Sequence, residues 1–380
     1  MGKRIVSFVL GLAVCAGLLS GCGGGTASSS APQDPELAGY ERYTVSWFDV
    51  FDTVTTVIGY AESEEEWNRQ MEALHADLVE YHQLYDIYYS YSGVTNLRDV
   101  NERAGQEPVT VDARIMGLLT GARAMHETTG GKMNVAFGTV LKIWHDYRET
   151  AMDDPSKAAV PSEEELLAAA EHCNMNDLIL DEAASTVYFA DPELQLDVGS
   201  VGKGYAAEMV ARAAGERGLK SALISVGGNL RSIGHKPDYS RWTGGIQNPW
   251  TTTADIVPTE SGGYVAVVEV EDMSLVTSGN YQRYYELDGV RYHHLIDPDT
   301  LMPANYYSAV SVLAPDSGLA DCLSTGLYCM PLEEGQALVE SLENVEAMWM
   351  MNEEDEVVYS SGFEAHRFHR GRRGDHRLPL

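Results

Sequence analysis

Strand and helix signals do not alternate regularly along this chain. Residues 51–61, FDTVTTVIGYA, are rich in β-branched residues and predict a strand, whereas residues 64–85 carry apolar side chains at helical spacing and predict a long helix. Further helices are predicted at residues 115–128, 163–172, 201–218, 319–330 and 333–342, and further strands at 187–189, 194–198, 221–228, 242–249, 263–270, 291–297, 308–315, 346–351 and 356–360. This mixed order favours the α+β class over a βαβ repeat. A chain of 380 residues can bury one large mixed α/β body of two intertwined lobes.

A glycine-rich stretch, LDVGSVGKGYA (residues 196–206), leads from a predicted strand into a predicted helix. It is not a P-loop, because Gly199 and Gly202 are only three residues apart and Gly204 follows Lys203. It also lacks the dinucleotide fingerprint of a Rossmann fold. Glycines still allow a ligand to approach the backbone closely, and a helix N-terminus favours an anion. Alone, the stretch equally fits a tight turn with a solvated lysine.

The first 22 residues have the pattern of an export signal. Two basic residues precede an apolar run, Ile5 to Leu19, that is too short to span a bilayer comfortably. The following Leu-Ser-Gly-Cys resembles the bacterial lipobox, in which Cys22 is lipidated, although a plain signal peptide stays an alternative. We predict a signal peptide at residues 1–21 and a lipidated cysteine with a flexible linker at 22–45. The protein would then be exported and anchored to the outer face of the cytoplasmic membrane.

Charge and cysteine content exclude several other classes. The formal net charge of −31 argues against a nucleic-acid partner. The three cysteines beyond the leader, Cys173, Cys322 and Cys329, lack the spacing of a zinc site or a disulfide framework. Residues 363–380 become basic and lose periodicity, which predicts a disordered tail.

Several motifs in order carry a family resemblance. They are NLRDVNERAG (96–105), GGKMNVAFGTVLKIW (130–144), LDVGSVGKGYA (196–206), SVGGNLRSIG (225–234), WTGGIQNP (242–249), the segment 274–300 that contains YHHLIDPDT, and SVLAPDSGLADCLSTGLYCMP (311–331). This series resembles the FAD:protein FMN transferases, the ApbE-like flavin transferases, over about residues 46–360. The resemblance implies a flavin transferase domain at residues 46–362 with an ApbE-like, T-fold-related core.

The resemblance also implies an activity. Such enzymes use FAD as substrate and a divalent metal, Mg²⁺, to move FMN onto a Thr or Ser hydroxyl of an acceptor protein. A phosphoester bond forms and AMP leaves. The acceptor expected by analogy is an exported or membrane electron-transfer subunit. Two alternatives stay open at this point: an Mg²⁺-dependent FAD pyrophosphatase that releases FMN and AMP, and a non-catalytic flavin-binding lipoprotein.

The predicted metal site lies on the helix at residues 319–330. Asp321, Ser324 and Thr325 occupy one face of one helical turn and offer only oxygen ligands, which suits Mg²⁺. The resemblance adds an oxygen from Ser200, counts Asp321 among the catalytic residues, and commonly has a carboxylate where this chain has Ser324. The competing interpretation is that Asp321 merely caps the helix.

The resemblance also supplies the expected FAD contacts. Asp197 would accept a hydrogen bond from a ribose or adenine group, and Lys203 would meet the pyrophosphate as a point charge. The remaining predicted cofactor-binding residues are Phe51, Tyr91, Lys132, Met133, Asn134 and, through its backbone, Ile296.

A general base is expected near the sequence HHLIDP. His294 matches the histidine that the family carries before I-D-P, and His293 would point to the opposite face of a strand. Asp297 would orient the loop or assist near the metal. Leu301 stands where relatives often have glycine, so a positive φ at this position would cost about 1 kcal/mol.

Overall fold

The computed structural model describes residues 32–250, 263–353 and 356–369. The predicted signal segment and Cys22 lie outside the described residues. The helices are α1 (Glu64–Tyr85), α2 (Leu97–Arg103), α3 (Ala113–Thr128), α4 (Gly138–Asp153), α5 (Glu163–Ala170), α6 (Gly202–Glu216), α7 (Ser317–Tyr328) and α8 (Leu332–Glu340). The strands are β1 (Glu41–Val50), β2 (Thr53–Ala61), β3 (Val109–Thr110), β4 (Leu178–Asp181), β5 (Thr186–Phe189), β6 (Ala222–Val226), β7 (Asn229–Ile233), β8 (Trp242–Gln247), β9 (Tyr264–Val270), β10 (Ser274–Gly279), β11 (Tyr284–Leu287), β12 (Val290–His293), β13 (Tyr307–Ala314), β14 (Glu346–Met351) and β15 (Val357–Tyr359).

An eight-stranded antiparallel sheet forms the centre of the molecule. Its strand order is β1-β2-β6-β7-β10-β13-β14-β15. Strand β2 pairs with β6, with Thr55 opposite Val226, so about two-fifths of the chain lies between two neighbouring strands. That inserted segment holds α1 to α6 and the small sheet β3-β5-β4. The predicted α+β class with two intertwined lobes is therefore confirmed.

The two faces of the large sheet bury different partners. On one face, alternate residues such as Val57, Ile224 and Val310 pack with α1, α6, α7 and α8. On the other face, their neighbours Ile58 and Leu223 pack with the β8–β9 hairpin. This period of two is the expected consequence of strand geometry in a sheet that is covered on both sides.

The inserted lobe has its own core. Helices α2 and α3 pack with the small sheet and with residues 194–201, which lead into α6. Helices α4 and α5 pack with the β11–β12 hairpin and with the loop that contains Ile296 and Leu301. The start of α6 and the loop after β12 are thus held between the two lobes.

Both predicted domain edges differ from the structure. Strand β1 begins at Glu41, within the stretch assigned to the linker, because it pairs with β2. At the other end, Phe363 is fully buried and the backbone N–H of Phe368 donates to Val267 O (2.8 Å). The described part of the predicted tail, residues 363–369, is therefore packed against β9. Helices α2 and α4 were not predicted, and the strand predicted at 194–198 is not formed.

Two further observations concern the described residues alone. Cys173, Cys322 and Cys329 are free thiols, as expected from their spacing. No helix within residues 32–369, apart from the undescribed gaps, has the length and apolar character that crossing a bilayer requires.

Leu301 has the left-handed backbone conformation (φ 60°) that was expected because relatives often have glycine at this position. Its side chain is buried, and its carbonyl accepts a hydrogen bond from Trp144 Nε1 (2.9 Å). We expect L301A to be destabilised by about 2–4 kcal/mol through loss of the buried side chain. L301G should be more stable than L301A by about 1 kcal/mol, since glycine accepts a positive φ. Urea unfolding of both variants tests this, and equal stability would contradict it.

Candidate active site

Helices α6 and α7 cross at close range. The backbone N–H of Gly204, in the first turn of α6, donates to Asp321 Oδ2 on α7 (2.8 Å). A Cβ atom on Gly204 would lie 2.5 Å from Asp321 Cβ and still closer to Ser317 O. The third glycine of the stretch therefore permits this crossing. The anion bound at the N-terminus of α6 is therefore the Asp321 carboxylate of the same chain.

Asp321 is not the cap of its helix. Asp316 caps α7, with its Oδ1 accepting from Leu319 N (2.9 Å), and Asp321 lies one turn further along. The capping interpretation is therefore wrong. Burial raises the pKa of the Asp321 carboxyl, whereas the Lys203 charge and the Gly204 amide oppose that rise. A carboxylate held in this way gains from a nearby cation.

Three hydroxyl groups lie beside Asp321. Ser324 Oγ donates to Asp321 O (2.9 Å) and lies 2.8 Å from Ser278 Oγ, so both its bonds are internal. Ser278 Oγ lies 3.5 Å from Thr325 Oγ1. Ser324 is fully buried, whereas Thr325 is only partly buried. The predicted ligand role of Ser324 therefore gains no support. Ser278, which sequence reasoning missed, lies with Thr325 in the partly buried part of the cluster.

The donor set fits a hard cation. Among the described residues, no three His, Cys, Asp or Glu side chains converge as metal ligands. A metal here would depend on the Asp321 carboxylate, the Thr325 hydroxyl and oxygens near Ser200 at the start of α6. Mg²⁺ is commonly bound by one or two carboxylates, waters and substrate phosphates. The site thus suits a metal that is shared with a phosphate-bearing substrate.

The two adjacent histidines have different environments. His293 is buried with both ring nitrogens occupied: Nε2 contacts Ala304 O (2.9 Å) and Nδ1 accepts from Leu295 N (3.2 Å). Burial lowers the pKa of His293 to about 4. His294 Nδ1, in contrast, has no hydrogen-bond partner among the described residues. His293 is therefore structural, and His294 is the histidine with a ring nitrogen available for chemistry.

Three cations lie close enough to His294 to affect its pKa. Burial, followed by the charges of Arg283, Arg148 and Lys203, lowers the pKa of His294 well below its ordinary value of 6.5. Lys203 reaches Gly199 O (3.4 Å), and burial lowers the pKa of its ammonium. Arg283 is exposed and Arg148 is half-buried. Sequence reasoning predicted Lys203 but missed both arginines, which come from the β10–β11 loop and from α4.

Asp197 shapes the turn that leads into α6. Its Oδ1 accepts from Gly199 N (2.8 Å), and its own N–H donates to Val135 O (2.9 Å). The carboxylate is half-exposed and close enough to Tyr88 to raise the pKa of that phenol, after burial. Asp197 therefore supports the turn that leads into α6 and remains partly accessible to solvent.

The two predicted aromatic contacts lie together. Phe51 and Asp52 form the turn between β1 and β2, both with positive φ (55° and 49°), which is unusual for a bulky side chain. The Phe51 ring meets His82 edge-on (5.6 Å), and Tyr91 Oη donates to Asp86 Oδ2 (2.7 Å) and contacts His82 Nε2 (3.3 Å). The structure thus brings Phe51 and Tyr91 onto one histidine.

The other predicted FAD contacts have internal partners. Lys132 Nζ contacts Asp297 Oδ1 and Asp299 Oδ2, both at 2.8 Å, and so pins the loop after β12. Met133 is fully buried in the core of the inserted lobe. The remaining two contacts are Asn134 Nδ2 to Cys173 O (3.0 Å) and Cys329 Sγ to Ile296 O (3.7 Å). These four residues are thus held by internal contacts, their FAD contacts stay a prediction, and Asp297 orients its loop.

Comparison with known proteins places this arrangement in a family. The model of the ApbE family matches residues 51–349. The chain belongs to the ApbE family. The predicted resemblance is thereby confirmed, and the matched range includes all the candidate site residues described above.

Curated relatives carry one name. The chain is 35% identical over 268 residues to the FAD:protein FMN transferase of Treponema pallidum, covering 67% of this chain and 70% of that protein. It is 29% identical over 253 residues to the FAD:protein FMN transferase of Escherichia coli K12, covering 66% and 68%. The chain thus spans most of these ApbE family members.

Solved structures share the fold. The ApbE protein of Thermotoga maritima superposes with a TM-score of 0.74 at 23% identity, covering 87% of this chain and 100% of that one. The flavin transferase ApbE of Vibrio cholerae gives a TM-score of 0.70 at 24% identity, covering 86% and 99%. At these identities the likeness shows that this ApbE family member has their fold.

The close crossing of α6 and α7 gives a testable prediction for this ApbE family member. G204A should destabilise the protein by about 1–3 kcal/mol and displace Asp321, since the added methyl group has no room. G215A is the matched control on the same helix, because a Cβ there meets nothing within 4 Å; it should leave stability unchanged or raise it by up to about 1 kcal/mol. Thermal unfolding and FAD turnover measure both effects, and equal behaviour of the two variants would contradict the prediction.

Proposed function

We propose that this protein is an FAD:protein FMN transferase. It would take FAD, transfer the FMN half to a Thr or Ser hydroxyl of an acceptor protein through a phosphoester bond, and release AMP, with Mg²⁺ required. The observation that carries the proposal is that the charges of Lys203, Arg148 and Arg283 all act on His294, and that Lys203 also acts on the buried carboxylate of Asp321. The names of the curated relatives support the same activity.

The three cations suit the diphosphate of FAD. A pyrophosphate carries two negative charges, and its cleavage places more charge on the departing AMP phosphate. Arginine can bind phosphate oxygens in bidentate fashion, and lysine acts as a point charge. Because two of the cations are at least half-buried, their charges are screened less than those of surface residues.

His294 suits the role of general base. Its lowered pKa keeps the ring neutral at neutral pH, so it can accept the proton of the acceptor hydroxyl. The hydroxyl oxygen then bonds to the FMN phosphorus, and the bond from that phosphorus to the AMP oxygen breaks with its electron pair leaving on AMP. Binding of the anionic diphosphate offsets the nearby cations, which would raise the basicity of His294 when FAD is present.

The metal would be held at Asp321 and Thr325, with an oxygen near Ser200. When bound, Mg²⁺ would neutralise charge on the phosphate oxygens. The chain's own part is to keep Asp321 fixed by the Gly204 amide and to keep Thr325 partly open.

Location and organisation complete the proposal. A lipidated Cys22 would tether the folded body, here extended to residues 41–369, at the outer face of the bacterial cytoplasmic membrane, where an electron-transfer subunit could be the acceptor. Labelling of cells with a fatty-acid probe tests the anchor. C22A should lose the label and be released from the membrane fraction, and a labelled C22A protein would refute the assignment.

Mass spectrometry tests the function. Residues 23–380, which include every described residue, would be mixed with FAD, Mg²⁺ and a protein that carries an acceptor hydroxyl. A mass gain of one FMN minus water on the acceptor, together with AMP, supports the transferase. FMN and AMP with an unmodified acceptor would favour a hydrolase, and unchanged FAD would leave a flavin-binding protein.

A further inference from the structure

We propose that Glu208 is a positioning residue that sets the place of Asp321, through a hydrogen bond to the first turn of α7. The inference rests on the proposed function, because the purpose it assigns to Glu208 is to hold a metal ligand. Glu208 itself would touch neither substrate nor metal.

Two hydrogen bonds from backbone N–H groups to carboxylates join α6 and α7, and Arg212 Nη2 on α6 also donates to Asp316 Oδ2 at the cap of α7 (2.8 Å). Glu208 Oε2 accepts a hydrogen bond from the backbone N–H of Ser317 (2.9 Å), the first residue of α7. Four residues earlier on α6, the Gly204 N–H donates to Asp321 Oδ2 (2.8 Å), and Asp321 is four residues after Ser317. The two bonds are therefore about one helical turn apart on both helices. Together they fix the position of α7 along α6.

Glu208 is itself held from the central sheet. Its side chain is 1% exposed and accepts from Arg231 Nε (2.7 Å) on β7, whose side chain is 12% exposed. Arg212 Nε, on the same helix, donates to the other carboxylate oxygen (2.7 Å). Burial would raise the pKa of Glu208, but the hydrogen bonds and charge of Arg231 and the Ser317 amide bring it below its usual value. The carboxylate is therefore ionised when it receives the Ser317 N–H.

The crossing leaves little freedom for Asp321. The backbone of α7 at Ser317 is already at the limit of approach to Gly204. Without an acceptor at position 208, the Ser317 N–H would be a buried donor without a partner, and α7 would have to shift to satisfy it. Any such shift moves Asp321 and Thr325 together, since both belong to the same helix. Groups that hydrogen-bond a metal ligand directly influence affinity by about 10- to 100-fold, and Glu208, which acts through the helix that carries the ligand, is expected to reach the lower end of that range.

A matched pair of double variants separates this role from plain stability. Both E208Q/R231M and E208M/R231M remove the buried ion pair without leaving one buried charge unpaired. Glutamine and methionine have similar size, but only the glutamine can accept the Ser317 N–H. The probe is Mn²⁺ alone, titrated into the metal-free protein and followed by water proton relaxation, with D321N as the reference that lacks the site.

The expected result is a difference within the pair. E208M/R231M should bind Mn²⁺ about 10-fold or more weakly than E208Q/R231M, which should stay within about threefold of the wild type. Equal affinities within the pair would overturn the proposal. A wild type that binds no more Mn²⁺ than D321N, both alone and in the presence of FAD, would instead show that the metal site, and with it the proposed metal dependence, is wrong.

A further variant, S317P, tests the proposal if the two double variants fold poorly. S317P deletes the N–H that Glu208 accepts, together with the Ser317 hydroxyl, which has no hydrogen-bond partner among the described residues. Proline is well tolerated at the first position of a helix. The preceding Asp316 already has the extended conformation that proline requires (φ −125°, ψ 130°). S317P should also weaken Mn²⁺ binding by about 10-fold or more, and an unchanged affinity in the folded variant would overturn the proposal.

Discussion

D321N is expected to lower the rate of FMN transfer by at least about a thousandfold, because it removes the carboxylate of the proposed metal site. The same variant should make the metal-free protein more stable. Burial raises the pKa of Asp321 above 3.8 in the folded state, so the carboxyl binds its proton more tightly there than in the unfolded chain. An ionised Asp321 therefore costs stability at neutral pH, and asparagine removes that cost.

The direction of the Asp321 pKa shift determines how the stability gain of D321N depends on pH. The stabilising contribution of protonated Asp321 is fully present below pH 3.8 and is lost as the pH rises through the folded-state pKa. The gain in stability of D321N should therefore be absent in acid and should grow towards neutral pH, by about 1.4 kcal/mol for each unit by which the pKa is raised. Thermal unfolding of both proteins without metal, across this range, measures the gain.

A melting-temperature measurement and a control variant test the role of Asp321 further. Addition of Mg²⁺ to the FAD complex should raise the melting temperature of the wild type further and leave that of D321N unchanged, since ligands stabilise only a state that binds them. D316N is the matched control on the same helix, because asparagine caps a helix about as well as aspartate, and its turnover should stay within about twofold. A D321N protein that keeps wild-type turnover would show that Asp321 holds no essential metal.

H294Q is expected to lower turnover by about 10²- to 10⁴-fold, the usual effect of losing a general base. Binding of FAD should change little, since His294 is neutral in the free protein. H293Q is the control: both nitrogens of His293 have internal partners, so the substitution should reduce stability more than turnover of the folded protein. Equal loss of turnover in both variants would contradict the assignment of the base.

The pH–rate profile gives a second test of His294. Because burial and three cations lower its pKa, the acid limb of kcat/KM, which reports the free enzyme, should lie below pH 6.5. The limb of kcat, which reports the FAD complex, should lie at higher pH, because the bound diphosphate offsets the cations. R283M should move the kcat/KM limb upward by removing one of these charges. A limb of kcat/KM above pH 6.5 would contradict this account.

Local sequence signals predicted the helices and strands that are determined by residues close together in the chain. Helix α1 runs over the predicted residues 64–85, because Ser63 caps it and three glutamates fill its first turn. The strands β6 and β13 were predicted because continuous β-branched and apolar runs indicate burial on both faces. Strand β9 was predicted from a similar run, but only alternate residues of it are buried. The spacing of Asp321 and Thr325 likewise predicted that they share one face of α7.

The remaining parts of the site depend on contacts between distant segments. Arg148 and Arg283 are ordinary surface-type residues in the sequence, and only the packing of α4 and the β11–β12 hairpin brings them near His294. The internal bonds of Lys132 and Asn134 join segments that are far apart in the chain, so no local pattern indicated them. The mispredicted strand at 194–198 is apolar because it fills the inserted lobe. A short apolar run alone cannot distinguish a buried strand from a buried segment without regular structure.

The pairing of β2 with β6 has a consequence for how this protein folds. The first hairpin is synthesised early, yet its inner strand finds its neighbour only after the whole inserted lobe has emerged, since Thr55 lies opposite Val226. Closing so long a loop is slow, because the contacts that compensate for it form late. Until then β2 presents an open edge that can pair with another chain. Refolding should therefore be slow and dependent on protein concentration, with dilution favouring the native fold over aggregation.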